Sequence, residues 1–152
     1  MDLNRQALID VIKGTCDGKH HYQYGAKQSA ELAPNQWEFI DCSGLTKYTA
    51  KRAWGINLPD GSVNQHEWCE QKALPVCRYS EVGPLDDNVL RICFLDPIPE
   101  TNEPGHAFFL CSGLTFESHG RDNGKDGPDR RPWDAEVLLS RNPACYVLGN
   151  LV

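Results

Sequence analysis

The chain has 152 residues, 40% apolar and 24% charged, with 13 glycines and 10 prolines. That is long enough for a single domain with a real core, and the composition excludes disordered and fibrous classes. Its 15 basic residues face 21 acidic ones, a net charge of −6, so no nucleic-acid partner gripped through phosphates is expected.

Residues 3–14 place Leu3, Ala7, Leu8, Val11 and Ile12 on one stripe at helical spacing, and Gly14 ends the run. No basic segment followed by an apolar run opens the sequence, so no Sec signal peptide is expected and the product is made in the cytoplasm. No run approaches the roughly 20 apolar residues that cross a bilayer, so no membrane partner is expected. Residues 15–40 carry turn formers and a Lys/His/Tyr cluster and read as an irregular loop. There His20-His21 with Cys16 lack a second ligand pair and read as solvated rather than metal-binding. A second helix is expected from Ser43 to Trp54, with Gly55 as its left-handed cap. After the turn Leu58-Pro59-Asp60-Gly61-Ser62 comes a short helix near Asn64–Lys72.

The period then changes to two or to continuous apolar runs. Val89–Leu95, Ala107–Cys111, Leu114–Ser118 and Cys145–Leu148 read as strands, with a polar loop, Gly120–Arg131, before the last. Helices first and strands later imply an α+β fold, N-terminal helices packed on a small antiparallel sheet, in a single domain over residues 1–152. The loop's Arg121, Arg130 and Arg131 read as solvated cations, or as the rim of a cleft. Trp54, Trp68 and Trp133 read as core or cleft-wall residues, and His66 has no assigned role.

Seven cysteines leave at least one unpaired in any monomeric disulfide scheme, and no Cys-x-x-Cys pair suggests zinc or a dithiol redox motif. In an exported chain, Cys16 with Cys145 could bridge the two ends. Cys42 differs from the rest in its context. It stands where Trp37-Glu38-Phe39-Ile40 passes into the second helix, which puts its sulfur at the positive end of the helix dipole. A thiol there ionises more readily than a free one, with its pKa of about 8.5. Gly44 allows a backbone or a substrate to come close.

The histidines supply the partner. An even hairpin loop centred on Ser112-Gly113 sets residue 111 opposite 114, 109 opposite 116 and His106 opposite His119. The two imidazoles then share one face, with Cβ atoms roughly 4.5–5.5 Å apart, and one can fix the tautomer of the other. Glu117 falls on that same face and competes with His119 as the orienting group. A thiol, a base and an orienter form the constellation that nucleophilic catalysis needs.

Asp41-Cys42-Ser43-Gly44-Leu45, then Gly105-His106-Ala107, then Glu117-Ser118-His119-Gly120 resemble the NlpC-type papain-like cysteine peptidases, bacterial cell-wall endopeptidases of α+β fold. Upstream, Tyr22-Gln23-Tyr24-Gly25 is similar to the family's Tyr-x-x-Gly element. Leu58-Pro59-Asp60-Gly61-Ser62 with Gln65 is similar to its Leu-Pro segment and following Gln. Two positions depart from the pattern. Asp86-Asp87-Asn88 stands where members carry Gly-Asp, and Ala26 replaces a second glycine after the tyrosine element.

The resemblance implies a Cys-His-His triad in which Cys42 attacks, His106 is the base and His119 orients it. It also implies that Tyr22 helps stabilise the oxyanion, and that Asp41 and Ser43 bind a stem-peptide amine or else cap the helix. The implied reaction is hydrolysis of a peptidoglycan stem peptide, of the D-Glu–diamino acid type, with no cofactor and no metal. Implied partners are the stem peptide and an immunity or delivery protein. A phage lysin, a tail enzyme or an injected effector would act at the cell wall in this way. An acyltransferase or deamidating toxin on the same fold, and a non-catalytic binding or structural protein, are the alternatives.

Overall fold

A computed structural model describes residues 1–152. In chain order the elements are β1 (Asp2–Leu3), α1 (Arg5–Thr15), β2 (His21–Tyr22), β3 (Phe39–Ile40), α2 (Cys42–Trp54), α3 (Ser62–Gln71), β4 (Val76–Arg78), α4 (Tyr79–Val82), β5 (Val89–Leu95), β6 (His106–Cys111), β7 (Leu114–Asp122), β8 (Lys125–Asp129), α5 (Glu136–Arg141) and β9 (Ala144–Leu151). The main sheet has seven strands, in the order β1-β9-β5-β6-β7-β8, with β4 also paired to β9. It is mixed rather than antiparallel, because β1 runs parallel to β9, and β2 and β3 form a separate parallel pair. No helix is long and apolar enough to cross a membrane.

The helices follow their capping chemistry. α1 begins two residues after Leu3, because Asn4 accepts the Ala7 N–H at 3.0 Å and caps the helix. Leu3 belongs instead to β1, buried against the last strand. α2 ends as expected, with Gly55 at φ 69°. α1 and α2 cover one face of the sheet. There Ile40, Leu45, Tyr48 and Ala50 pack on Phe109, Phe116, Ile92 and Leu148, all buried. Each fully buried aliphatic or aromatic side chain of this kind contributes roughly 1.5–3 kcal/mol. The other face packs Cys93, Leu95, Phe108, Leu110 and Cys145 under Tyr79 of α4 and Leu138 of α5.

The hairpin register is the one the turn chemistry predicts. Phe109 pairs with Phe116 and Cys111 with Leu114, around Ser112 (φ 51°) and Gly113 (φ 74°). The polar segment 120–131 is different. Residues 125–129 form strand β8, which takes up β7 once the β6–β7 ladder has ended. Gly, Pro and Asp fill this strand, so propensity and alternation give no signal for it. Cys16 packs against the helix-side core while Cys145 is buried under the opposite face, so the sheet stands between the two thiols and they cannot bridge. Nor is His20 solvated. It is 5% exposed, edge-on to Trp37, with Nδ1 at 2.7 Å from Asp17 and Nε2 at 2.6 Å from the Pro34 carbonyl.

Candidate active site

Cys42 is the first residue of α2, and its placement is built from three sides. Asp41 is the N-cap, its Oδ1 accepting the Gly44 N–H at 2.7 Å. Ser118 of β7 donates to the Ile40 carbonyl at 2.8 Å, which ties the approach to α2 onto the sheet. Gln65 of α3 is fully buried. It donates to the carbonyls of Ser43 (2.9 Å) and Pro59 (3.0 Å), and accepts from Thr46 at 2.6 Å. The Leu-Pro segment and the Gln that follows it therefore brace the first turn of α2. A buried amide with its bonds made in this way holds one geometry.

Gly44 is required by the same packing. A Cβ there would lie 2.7 Å from Asp41 Oδ1, 2.8 Å from the Ala26 carbonyl oxygen and 3.0 Å from an Ile40 side-chain carbon. The close approach that glycine permits is made by the Ala26 backbone, whose carbonyl also accepts the Asp41 N–H at 2.9 Å. Gly44→Ala should therefore cost about 1–3 kcal/mol of stability through overpacking, read as a lower melting temperature. An unchanged melt would mean that this turn relaxes freely.

Asp41 itself has no lone pair facing an open cleft. Besides the cap, its Oδ2 accepts from Lys27 Nζ at 2.5 Å and from the Gly25 N–H at 3.2 Å, and Lys27 also reaches Ser43 Oγ at 3.0 Å. Asp41 and Ser43 are 5% and 4% exposed. For Asp41 the geometry fits capping, and the chain's own Lys27 ammonium pairs with its carboxylate and with Ser43.

His106 opens β6 beside Cys42, whose sulfur lies 4.0 Å from the Gly105 carbonyl oxygen. The imidazole stacks on Phe108 with ring centroids 5.4 Å apart, and its Nε2 is 2.8 Å from Glu117 Oε1. Burial pushes the Cys42 thiol up, yet hydrogen bonding to His106 and its charge outweigh that and leave the pKa below the ordinary value. For His106 burial works downward, but Cys42 and Glu117 together raise it from 6.5 to about 9. Both shifts favour a thiolate beside an imidazolium.

The group bonded to His106 is Glu117, and the expected contact between His106 and His119 is not made. The β6–β7 ladder ends at Phe109–Phe116, and beyond it β7 pairs with β8. Glu117 reaches diagonally to His106. His119 turns to β8, with Nε2 at 2.9 Å from Asp129 and Nδ1 at 2.5 Å from the Gly120 carbonyl. Glu117 is fully buried, and Arg131 holds it in a two-pronged clasp, Nε to Oε2 at 3.0 Å and Nη2 to Oε1 at 2.5 Å. Arg131 also binds Asp122 at 2.9 Å. Burial would raise the Glu117 carboxyl, but the bonds from His106 and Arg131 hold it well below the usual carboxylate range. Arg131 is thus neither solvated nor free for a substrate carboxylate. Its signal in the sequence was weak, because an arginine in a polar loop looks the same whether or not it folds back onto a buried acid.

Tyr22 of β2 is half-buried beside Cys42. Burial, then the nearby charges of Cys42 and Asp41, push its hydroxyl up to about 12, so it stays a protonated donor at neutral pH. Its strand is fixed from β8: Asp126 accepts the Tyr22 N–H at 3.0 Å and lies 3.0 Å from His21 Nδ1.

Residues 18–81, which contain Tyr22 and Cys42, match the model of the NlpC/P60 family. No curated protein matches the sequence significantly. Among solved structures, the crystal structure of the NlpC/p60 domain of the peptidoglycan hydrolase SagA is similar in fold. Its TM-score is 0.55 at 17% identity, over 96% of this chain and 100% of that one. Residues 18–81 are thus similar to the NlpC/P60 family, and the fold of one of its domains is shared along nearly the whole length of the chain.

Proposed function

We propose that this protein is a cysteine peptidase that hydrolyses peptidoglycan stem peptides with a Cys42–His106–Glu117 triad. The observation that carries the reading is the continuous chain of contacts from a helix-start thiol through His106 to a buried, Arg131-clasped carboxylate. A thiol of lowered pKa joined to a base and a buried carboxylate is the combination that an activated nucleophile needs. The family and the SagA domain supply the substrate class, since that neighbour is described as a peptidoglycan hydrolase.

In this reading the Cys42 thiolate attacks the scissile carbonyl carbon. The negative charge moves to the carbonyl oxygen, which is met by backbone N–H groups of the first turn of α2 and by the Tyr22 hydroxyl. Donors of this kind are worth roughly 3–4 kcal/mol each where one has been removed. Glu117 occupies Nε2 of His106, so Nδ1 is the nitrogen that gives its proton to the leaving amine. The neutral imidazole then takes a proton from water, which attacks the thioester and releases the acid. Glu117 stabilises the imidazolium and fixes its tautomer, the part that the resemblance gives to His119. His119 with Asp129 joins β7 to β8 and keeps the Tyr22 strand in place.

The test is digestion of purified sacculi of several wall chemotypes, with the soluble fragments read by mass spectrometry. Cleavage between D-Glu and the diamino acid is the expected product. Unchanged sacculi of every chemotype, or transfer of the acyl group to an added amine without wall cleavage, would overturn the proposal.

A further inference from the structure

Three cysteines outside the proposed triad stand side by side on adjacent strands. The register sets Cys77 of β4 opposite Cys145 of β9, and Cys145 opposite Cys93 of β5. Cys93 and Cys145 are fully buried in the core beneath α4 and α5, and Cys77 packs at its margin. The Cys93 and Cys145 sulfurs are 2.9 Å apart, and both are free thiols. Residues directly opposed on antiparallel strands have Cα atoms about 4.5–5.5 Å apart, within the roughly 4.4–6.8 Å that a disulfide spans. As thiols the pair gains little from this contact, because S–H is a weak donor and sulfur a weak acceptor.

We propose that Cys93 and Cys145 are an oxidation site, closed into a cross-strand disulfide by a disulfide-bearing oxidant that enters through Cys77. Cys77 is the accessible member of the three. It lines an open cavity of about 760 Å³ together with Arg78, Glu81 and Arg141. The Cys77 thiolate attacks one sulfur of the oxidant, forming a mixed disulfide and expelling the first thiolate. Cys145 then attacks the Cys77 sulfur and expels the second. Cys93 attacks the Cys145 sulfur, and Cys77 leaves as a thiol. In sum, two protein thiols are oxidised to one disulfide, and one oxidant disulfide is reduced to two thiols. The site is separate from Cys42, so it holds whether or not the protein cleaves cell wall.

Oxidised glutathione in excess serves as the probe, on the wild type and on Cys42→Ala. The sample is then acid-quenched, unfolded, alkylated and mapped by mass spectrometry. A Cys93–Cys145 cross-linked peptide is expected in both, with a melting temperature several degrees above that of the reduced form. Cys77→Ser should slow formation of that cross-link at least about tenfold without changing the end point. Alkyl groups on both Cys93 and Cys145 after prolonged oxidation, or a bridge between Cys77 and Cys145 instead, would overturn the site. An unchanged rate in Cys77→Ser would overturn the entry route.

Discussion

Replacing Cys42 by alanine should abolish release of wall fragments, lowering kcat/KM by at least about 10³-fold, while the protein still folds. The nucleophile has no substitute within reach. Ser43 beside it is 4% exposed and held by Lys27 and Asp41, and the other cysteines lie in the core or away from His106. Folding survives because the first turn of α2 depends on Asp41, Gly44 and Gln65 and not on the sulfur, which makes a long contact to the Gly105 carbonyl and bonds the His106 imidazole at the surface of the fold's core. Its truncation should cost about 1 kcal/mol, the ordinary value for a point substitution. Circular dichroism melts run beside the digestion separate the two effects. A loss of several kcal/mol would mark Cys42 as a core residue, and wild-type digestion would remove it from the reaction.

That the sequence brings Cys42 and His106 together but not the whole candidate site has a physical explanation. Cys42, His106 and the residues that cap and brace α2 are coupled by local rules: an N-cap, a glycine where backbone crowds, a hairpin whose loop sets its register. The same register places Glu117 and His119 on one face with His106, and alternation alone cannot choose between them. The choice is made by β8 and Arg131, which are contributed by a segment of Gly, Pro, Asp and Arg that reads as loop. β8 draws His119 to Asp129, and Arg131 supplies the charge that lets a carboxylate be fully buried next to an imidazole. Likewise the Lys27 ammonium on Asp41 joins residues from separate segments, and no spacing rule connects a lysine in an irregular loop to a helix cap.

Glu117→Gln keeps the shape of the orienting side chain and removes its charge, and it should move activity and stability in ways that His119→Gln does not. The reactive pair needs Cys42 deprotonated and His106 protonated, so wild-type activity should fall on the alkaline side as pH passes about 9. Without the carboxylate, His106 loses one of the two groups that raise it and titrates lower, toward 6.5. The alkaline limb should therefore shift to lower pH, and kcat/KM at pH 8 should drop by roughly 10²–10⁴-fold. The neutral amide also leaves Arg131 with Asp122 alone, a buried cation half-compensated, at a cost of about 3–5 kcal/mol.

The stability profile has a definite sign. A His106 pKa raised in the folded state adds stability that is complete below 6.5 and is lost as pH rises through about 9. A depressed Glu117 pKa adds stability that is present above 4.5 and is lost as pH falls. Wild-type protein should thus be most stable between those limits, and Glu117→Gln should flatten both flanks. Urea unfolding from pH 2 to 10, with the pH–rate profile beside it, reads both effects. If Glu117→Gln keeps the wild-type profile and His119→Gln loses it, the orienting role belongs to His119.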